Sequence, residues 1–373
     1  MPSVSASHAR SSATTPVRPG TATELAILNH PDQRTSWIVV MTATLRYGDS
    51  DLTSRIAERL QTLGDQAPDL WSRWDGAGWR PARAPEPVVV DGDPLQAPGL
   101  LTRFDLAGEP PARFAVARDG GRLALAAHHA AFDGLSMLAL IGAVLGRDLP
   151  SPAEAATTPA EPARREHGVD LLRPLRRLMR PADRVVSSQG PVAQDSFAVR
   201  EIGLRPPNIT GQIAQASIDA AGARNAARGA DWDRIGLTIA LGGPAAMGNV
   251  ASYRRLDLRA GEDVAASVQA ALRSGVEPGE LATTLPRGLR LLAPVADRFS
   301  DSVLVSNLGF TALPELSRLC LFPVARGRSA VAVGAGSVSQ GQTTISLRAR
   351  DLSPDDAESL LDDIIARLRG SDD

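Results

Sequence analysis

The chain has one cysteine, Cys320, in 373 residues. A single thiol cannot build a disulfide framework within the chain. Its context, Leu319-Cys320-Leu321-Phe322, is apolar and reads as small buried filler. Charge of one sign is also missing. The formal net charge is −2, which exerts no general pull toward nucleic acid. No apolar run reaches the about 18 residues of a membrane span, so no span is expected, although peripheral membrane contact stays open. Met1 to Gly20 is rich in Ser, Ala, Thr and Pro and has no hydrophobic centre. It does not read as a secretory signal, and a disordered tail on a cytoplasmic protein is expected. Histidine is scarce, with five in the chain. His8 and His167 lie in tail-like or linker-like stretches, which leaves His30, His128 and His129.

What is present is apolar enough to fold. Hydrophobic residues make up 43% of the chain, which excludes global disorder. The length suffices for two ordinary domains with a sizeable core.

The chain is organised around Arg122 to Ser136, which places His128, His129, Asp133 and Gly134 in the pattern H-H-x-x-x-D-G. Leu123 to Ala127 is a short run of small and apolar residues, suited to a buried strand. Leu135 to Leu145 suits a buried helix. The histidines therefore fall at a strand end, a common place for chemistry in α/β proteins. Imidazole is the side chain best suited to exchanging a proton near neutral pH. Adjacent strand residues point to opposite faces, so at most one of the two histidines faces a given cleft. Asp133 could hold the turn through backbone amides or an arginine, and Gly134 permits a backbone conformation closed to other residues. Three plainer readings compete on the residues alone. The histidines could be buried and satisfied by backbone. His and Asp could be metal ligands, although the chain offers little else for a complete set. Asp133-Gly134 could be an ordinary turn.

The whole string resembles the H-H-x-x-x-D-G signature of the CoA-dependent acyltransferase superfamily. That superfamily includes peptide-synthetase condensation domains, plant BAHD acyltransferases, chloramphenicol acetyltransferase and bacterial wax ester synthase/diacylglycerol acyltransferases. The resemblance implies that His129 is the general base that activates a hydroxyl or amine for attack on an acyl thioester. It implies that Asp133 is structural and paired with an arginine, that His128 is packed, and that Gly134 leaves room for pantetheine or an acyl chain. No metal and no permanently bound cofactor are implied; acyl-CoA or a phosphopantetheine thioester would be a co-substrate. The partners expected are a small-molecule acceptor and, potentially, an acyl or peptidyl carrier protein. The implied fold is α/β, with two chloramphenicol-acetyltransferase-like subdomains, mixed sheets flanked by helices, meeting in a V or sandwich around a central tunnel. The setting expected is bacterial lipid or natural-product biosynthesis. Two rival functions share the fold: a carrier-binding scaffold without turnover, and cyclisation or epimerisation of a carrier-bound chain. The sequence names neither donor nor acceptor.

The rest of the chain divides around a linker. Residues 1–20 form the tail, 21–148 an N-terminal subdomain carrying the motif, 149–188 a linker with a basic segment, and 189–373 a C-terminal subdomain. Trp37 to Leu45 reads as a strand and 51–64 as an amphipathic helix, with Leu52, Ile56, Leu60 and Leu63 at helical spacing. Trp71, Trp74 and Trp79 could line a groove or cap a core. Arg113 to Ala117 and Leu123 to Ala127 read as a hairpin. Four arginines lie among apolar residues between Val169 and Arg180, as a surface amphipathic segment or a patch for an acidic partner. Strands are expected at 197–204, 235–241 and 252–258. Helix 209–227 would present Ile213, Ala216, Ala220 and Ala223. Gly248-Asn249-Val250 resembles the Gly-Asn element that precedes a long strand in many members of the superfamily. The strand of Asp301 to Phe310 ends in Ser306-Asn307-x-Gly309, where Ser and Asn can offer hydrogen bonds and Gly lets backbone approach a ligand. These three are placed near the cleft. Paired strands at 330–336 and 343–350 and a helix from Pro354, capped by Ser353, complete the reading.

Overall fold

The computed structural model describes residues 18–30, 32, 34–149, 179–190, 192, 194–203, 208–241, 247–274, 300–328, 330–338 and 342–370. Most of the expected linker and its basic segment, 150–178, lies outside the described residues.

The first half opens with helix α1 (Ala22–Leu28), strand β1 (Ile38–Leu45) and helix α2 (Leu52–Gln66). Short strands β2 (Arg73–Trp74), β3 (Trp79–Arg80) and β4 (Val88–Val90) follow. Then come β5 (Ala112–Ala117), β6 (Arg122–His128) and helix α3 (Gly134–Val144). β1 is apolar on both faces because both are covered, as strands buried on two sides require. Val39, Met41 and Ala43 join the core under α2 and α3, whereas Ile38 and Val40 join a second cluster on the opposite face. The tryptophans cap a core. Trp71 is buried and its Nε1 donates to Leu60 O of α2 at 3.0 Å, and Trp74 meets Trp79 edge-on at 5.4 Å.

The second half contains β7 (Ser196–Ile202), α4 (Ile209–Ala227), β8 (Arg234–Leu241), β9 (Ser252–Arg259) and α5 (Val264–Arg273). It continues through β10 (Val303–Thr311), β11 (Leu316–Phe322), β12 (Val331–Val338) and β13 (Thr343–Ala349) to α6 (Pro354–Gly370). α6 buries Ala357, Leu360, Leu361, Ile364, Ile365 and Leu368 against its sheet, and Ser353 Oγ accepts the Asp356 N–H at 3.2 Å. α4 buries Ile213, Ala216 and Ala220, but Ala223 is exposed. Small residues surround this helix on all sides, so the sequence pattern marks its inner face weakly.

Two mixed sheets result. The first has the order β11-β1-β6-β5-β4 and the second β7-β13-β12-β10-β8-β9. β11 comes from the C-terminal half of the chain but pairs antiparallel with β1, with Cys320 opposite Thr42. The two halves are thus joined by a strand as well as by the chain between them. Leu319 and Leu321 of this strand enter the first core. Ser346 Oγ of β13 donates to Leu321 O, and a Cβ on Gly334 of β12 would lie 1.8 Å from that same oxygen. Glycine at 334 is what lets β12 come this close to β11.

Candidate active site

His129 follows β6 directly, and every polar group it carries is held. Its N–H donates to Trp37 O at 2.7 Å. Its carbonyl accepts from Asn249 Nδ2. Its Nδ1 lies 3.0 Å from Phe132 O, which can only accept, so Nδ1 carries the proton. Nε2 is then the lone-pair nitrogen, and the Tyr253 hydroxyl donates to it at 2.6 Å. Burial drives the imidazole pKa down, with the Arg326 charge acting in the same direction; the Phe132 carbonyl and Asp133 act the other way. The ring is therefore a neutral base near pH 7.

His128 is turned elsewhere. It meets Phe104 edge-on at 6.1 Å, and its Nδ1 accepts the Ala130 N–H at 3.2 Å. Burial, reinforced by His129 and Arg103, lowers its pKa to about 3. The two histidines thus point in different directions, each with its own hydrogen bonds.

Asp133 is the N-cap of α3. Its Oδ1 accepts the Ser136 N–H at 2.8 Å, while Ser136 Oγ accepts the Asp133 N–H at 2.8 Å. The arginine partner implied for Asp133 is not found among the described residues. Its Oδ2 accepts the backbone N–H of Val250 at 2.9 Å instead. A helix N-terminus and a donor from the other half supply the positive ends that a guanidinium would have supplied. Gly134 also departs from expectation. It is not among the residues of positive φ, so the turn does not demand glycine. It is the first residue of α3 and lines the cavity beside His129; a Cβ there would meet Leu308 Cδ2 at 3.1 Å. What the position restricts is the room for a side chain, not the backbone conformation.

The cavity, about 50 Å³, lies between the two sheets. Ile27, Trp37, Val39 and Leu321 line it from the first sheet's side, and Thr238, Tyr253, Leu304 and Ser306 from the second. β8, β9 and β10 present one face here. Thr238 stands opposite Leu304, Ala240 opposite Tyr253, and Ser306 lies two residues beyond Leu304. Alternation sends Asn307 to the other face, where its Nδ2 donates to Thr210 Oγ1 of α4 at 3.0 Å. Gly309, at φ +75°, forms part of a register shift in β10, and its N–H donates to Asn307 Oδ1. Of the three residues placed near the cleft from sequence, Ser306 lines the cavity and Asn307 and Gly309 do not.

Sequence reasoning missed Trp37, Asn249, Thr238, Tyr253 and Arg326 as site residues. Trp37 has φ +52°, rare for a bulky residue, and its indole stacks on His129 at 6.5 Å between centroids. His30 packs edge-on against the same indole at 4.9 Å, and burial there lowers its pKa to about 4. The strain at Trp37, of order 1–3 kcal/mol, is held by Arg348 of β13. Arg348 donates to Ile38 O and, at 3.0 Å, to Ser36 Oγ, and it is paired with Asp195 at 2.6 Å. Arg326 enters the cavity while paired with Asp301 at 2.9 Å.

No family model matches the chain, and no curated protein matches it by sequence. Solved structures do match. A substituted starter condensation domain of rhizomide synthetase RzmA, in complex with C8-CoA and Leu-SNAC, aligns at 14% identity over 96% of this chain and 95% of that one, with a TM-score of 0.62. The cyclization-docking bidomain of EpoB from Sorangium cellulosum aligns at 16% identity over 95% of this chain and 83% of that one, at TM-score 0.60. The condensation domain of the monacolin K polyketide synthase MokA aligns at 12% identity over 95% and 96%, at TM-score 0.55. By this likeness the chain has the α/β condensation-domain fold, two subdomains with mixed sheets flanked by helices.

Proposed function

We propose that this protein transfers an acyl group from a CoA or carrier-protein thioester to a hydroxyl or amine acceptor, with His129 as general base. The observation that carries the reading is the tautomer of His129. Phe132 O takes the Nδ1 proton, which leaves the Nε2 lone pair to the hydroxyl of Tyr253, a residue that lines the cavity between the two sheets. A base held in one tautomer, neutral and shielded from water is what abstraction of an acceptor proton needs. The acceptor oxygen or nitrogen then attacks the thioester carbonyl, the C–S bond breaks, and the imidazolium returns its proton to the departing thiolate. Holding both reactants beside one nitrogen supplies much of the rate. Fold alone does not choose the chemistry, and the cyclization domain among the similar structures shows how varied it is on this fold.

One observation favours a second reading, a carrier-binding scaffold. The Nε2 lone pair is already occupied by Tyr253. The two readings separate by mass-spectrometric detection of transfer. The panel offers acyl-CoAs and acyl-loaded carrier proteins to mixed alcohols and amines, with wild type set against His129→Ala. Loss of transfer by about 10²-fold or more in the variant supports the base. Transfer that survives the substitution removes His129 from the mechanism, and carrier binding without any transfer favours the scaffold.

A further inference from the structure

An imidazole nitrogen offers one lone pair, and at Nε2 of His129 the Tyr253 hydroxyl holds it at 2.6 Å. An acceptor cannot donate to that lone pair directly while the phenol is there. Either the phenol leaves, or it passes the proton on. Tyr253 belongs to β9, hydrogen-bonded along its length to β8, and its ring meets the imidazole edge-on at 6.0 Å. Leaving would break this packing and the short hydrogen bond. Staying requires only that the acceptor donate to the other side of the phenolic oxygen. We infer that Tyr253 is a catalytic residue of the transfer, carrying the acceptor's proton to His129.

The step balances without another reagent. The acceptor O–H or N–H proton moves to Tyr253 Oη as the Tyr253 proton moves to Nε2, and the acceptor atom forms its bond to the thioester carbon. When the C–S bond breaks, the same path runs backward and delivers the proton to the thiolate. Burial and the Asp133 charge raise the phenol's pKa. The tyrosine therefore stays neutral, able to donate and accept at once, and both protons must move together. The cavity also contains a place to hold the acceptor. Thr238 is 3% exposed, lines the same cavity, and its Oγ1 has no hydrogen-bond partner among the described residues. A buried hydroxyl left unpaired in a cavity marks where a polar group of a ligand would bind.

This inference rests on the acyl-transfer reading, and the test keeps the two apart. Transfer from C8-CoA to the alcohol and amine panel is measured for wild type, His129→Ala and Tyr253→Phe. The relay requires kcat of Tyr253→Phe to fall about 10²-fold with acceptor KM little changed. It also requires the solvent-deuterium proton inventory to change from bowed, with two protons in flight, to linear. An unchanged or raised kcat in Tyr253→Phe overturns the relay and makes the phenol an occupant that the acceptor displaces. Full activity in His129→Ala overturns His129 as base and the relay to it together, while the transfer reaction itself stands. A turnover-free measurement stands beside these. In the protein labelled with ¹⁵N-histidine, the His129 Nε2 resonance shifts in Tyr253→Phe if the hydrogen bond exists, and an unmoved resonance overturns the contact. Absence of wild-type transfer overturns both the reading and the relay, while the nitrogen shift still reports the bond.

Discussion

Asp133 accepts the backbone N–H of Val250 at 2.9 Å, across the space between the two sheets. The same carboxylate caps α3 through Ser136, and the residue before Val250, Asn249, donates to the carbonyl of His129. One acidic side chain thus fixes the start of the helix after the motif and the start of the segment that leads to Tyr253. The N-cap is worth about 1 kcal/mol. Val250 is an exposed residue and its bond to Asp133 is only partly buried, so losing that acceptor costs about 0.5–1.5 kcal/mol. Asp133→Ala is therefore expected to lose about 1.5–2.5 kcal/mol in urea unfolding. Asp133→Asn, which keeps a cap oxygen, should lose less. A midpoint for Asp133→Ala within about 0.5 kcal/mol of wild type contradicts this dual role.

Arg348 stands one shell further out. Its guanidinium grips Ser36 and Ile38, the residues on either side of Trp37, from a strand of the other sheet. Trp37 in turn accepts the His129 N–H and stacks on its ring. Among the described residues, Arg348→Met leaves Asp195 with Arg350 alone, at 3.4 Å, and frees Trp37 to relax. Asp195 keeps a partner, so the cost is that of the hydrogen bonds lost to Ile38 O and Ser36, about 1–3 kcal/mol. The variant is expected to lose that stability and also to lower kcat under conditions where it is fully folded. A variant that is destabilised but turns over normally when folded limits Arg348 to holding the halves together.

The local features of the fold were legible. β1 shows because both of its faces are apolar, α2 and α6 because their buried residues recur at helical spacing, and the histidine turn because its residue types are rare together. What escaped was partnership across the chain. β11 reads as apolar around Cys320, but nothing in Leu316 to Phe322 says that it pairs with β1 of the other half. The partner of Asp133 is a backbone N–H, which almost every residue has, so no residue type advertised it and an arginine was expected in vain. Tyr253 is one of two tyrosines in the chain, on a strand whose alternation gives it a face but not a neighbour. Asn307 was misplaced for a similar reason. Its hydrogen-bonding chemistry suggested the cleft, and the two-residue period of β10 gave that face to Ser306.

The lowered pKa of His129 sets the pH profile of the proposed reaction. The active form is the neutral imidazole, so kcat/KM falls on the acid side as the ring is protonated. Burial moves that acid limb below the ordinary 6.5 of histidine, and the charge of Arg326 moves it in the same direction. Removing that charge by Arg326→Gln should shift the limb toward neutrality. The Tyr253 phenol, raised above its ordinary 10, adds no alkaline limb below that value. A pH profile with its acid limb above 6.5, or one unmoved by Arg326→Gln, contradicts this account.

Stability should follow the histidines that take no part in transfer. In the folded state, burial lowers His128 to about 3 and His30 to about 4, against 6.5 for each in the unfolded chain. Above pH 6.5 both are neutral in both states, and their contribution to stability is fully present. Below it the unfolded chain binds a proton at each ring while the folded chain does not, so falling pH favours unfolding. Each histidine removes about 1.4 kcal/mol per pH unit over that window. The share of His30 is spent near pH 4 and that of His128 near pH 3, so both are active between pH 6 and 4.5. Paired carboxylates join only at lower pH, because their loss begins near the unfolded value of 3.8. Urea midpoints taken at half-unit steps from pH 7.5 to 4.5 should fall steeply below 6.5 in the wild type. In His128→Gln the slope over that range should be smaller by about 1.4 kcal/mol per unit, whatever the variant's stability at pH 7.5. Parallel slopes in the two proteins would mean that His128 takes up its proton in the folded state, and that the hydrogen bond from Ala130 and the contact with Phe104 do not keep it neutral.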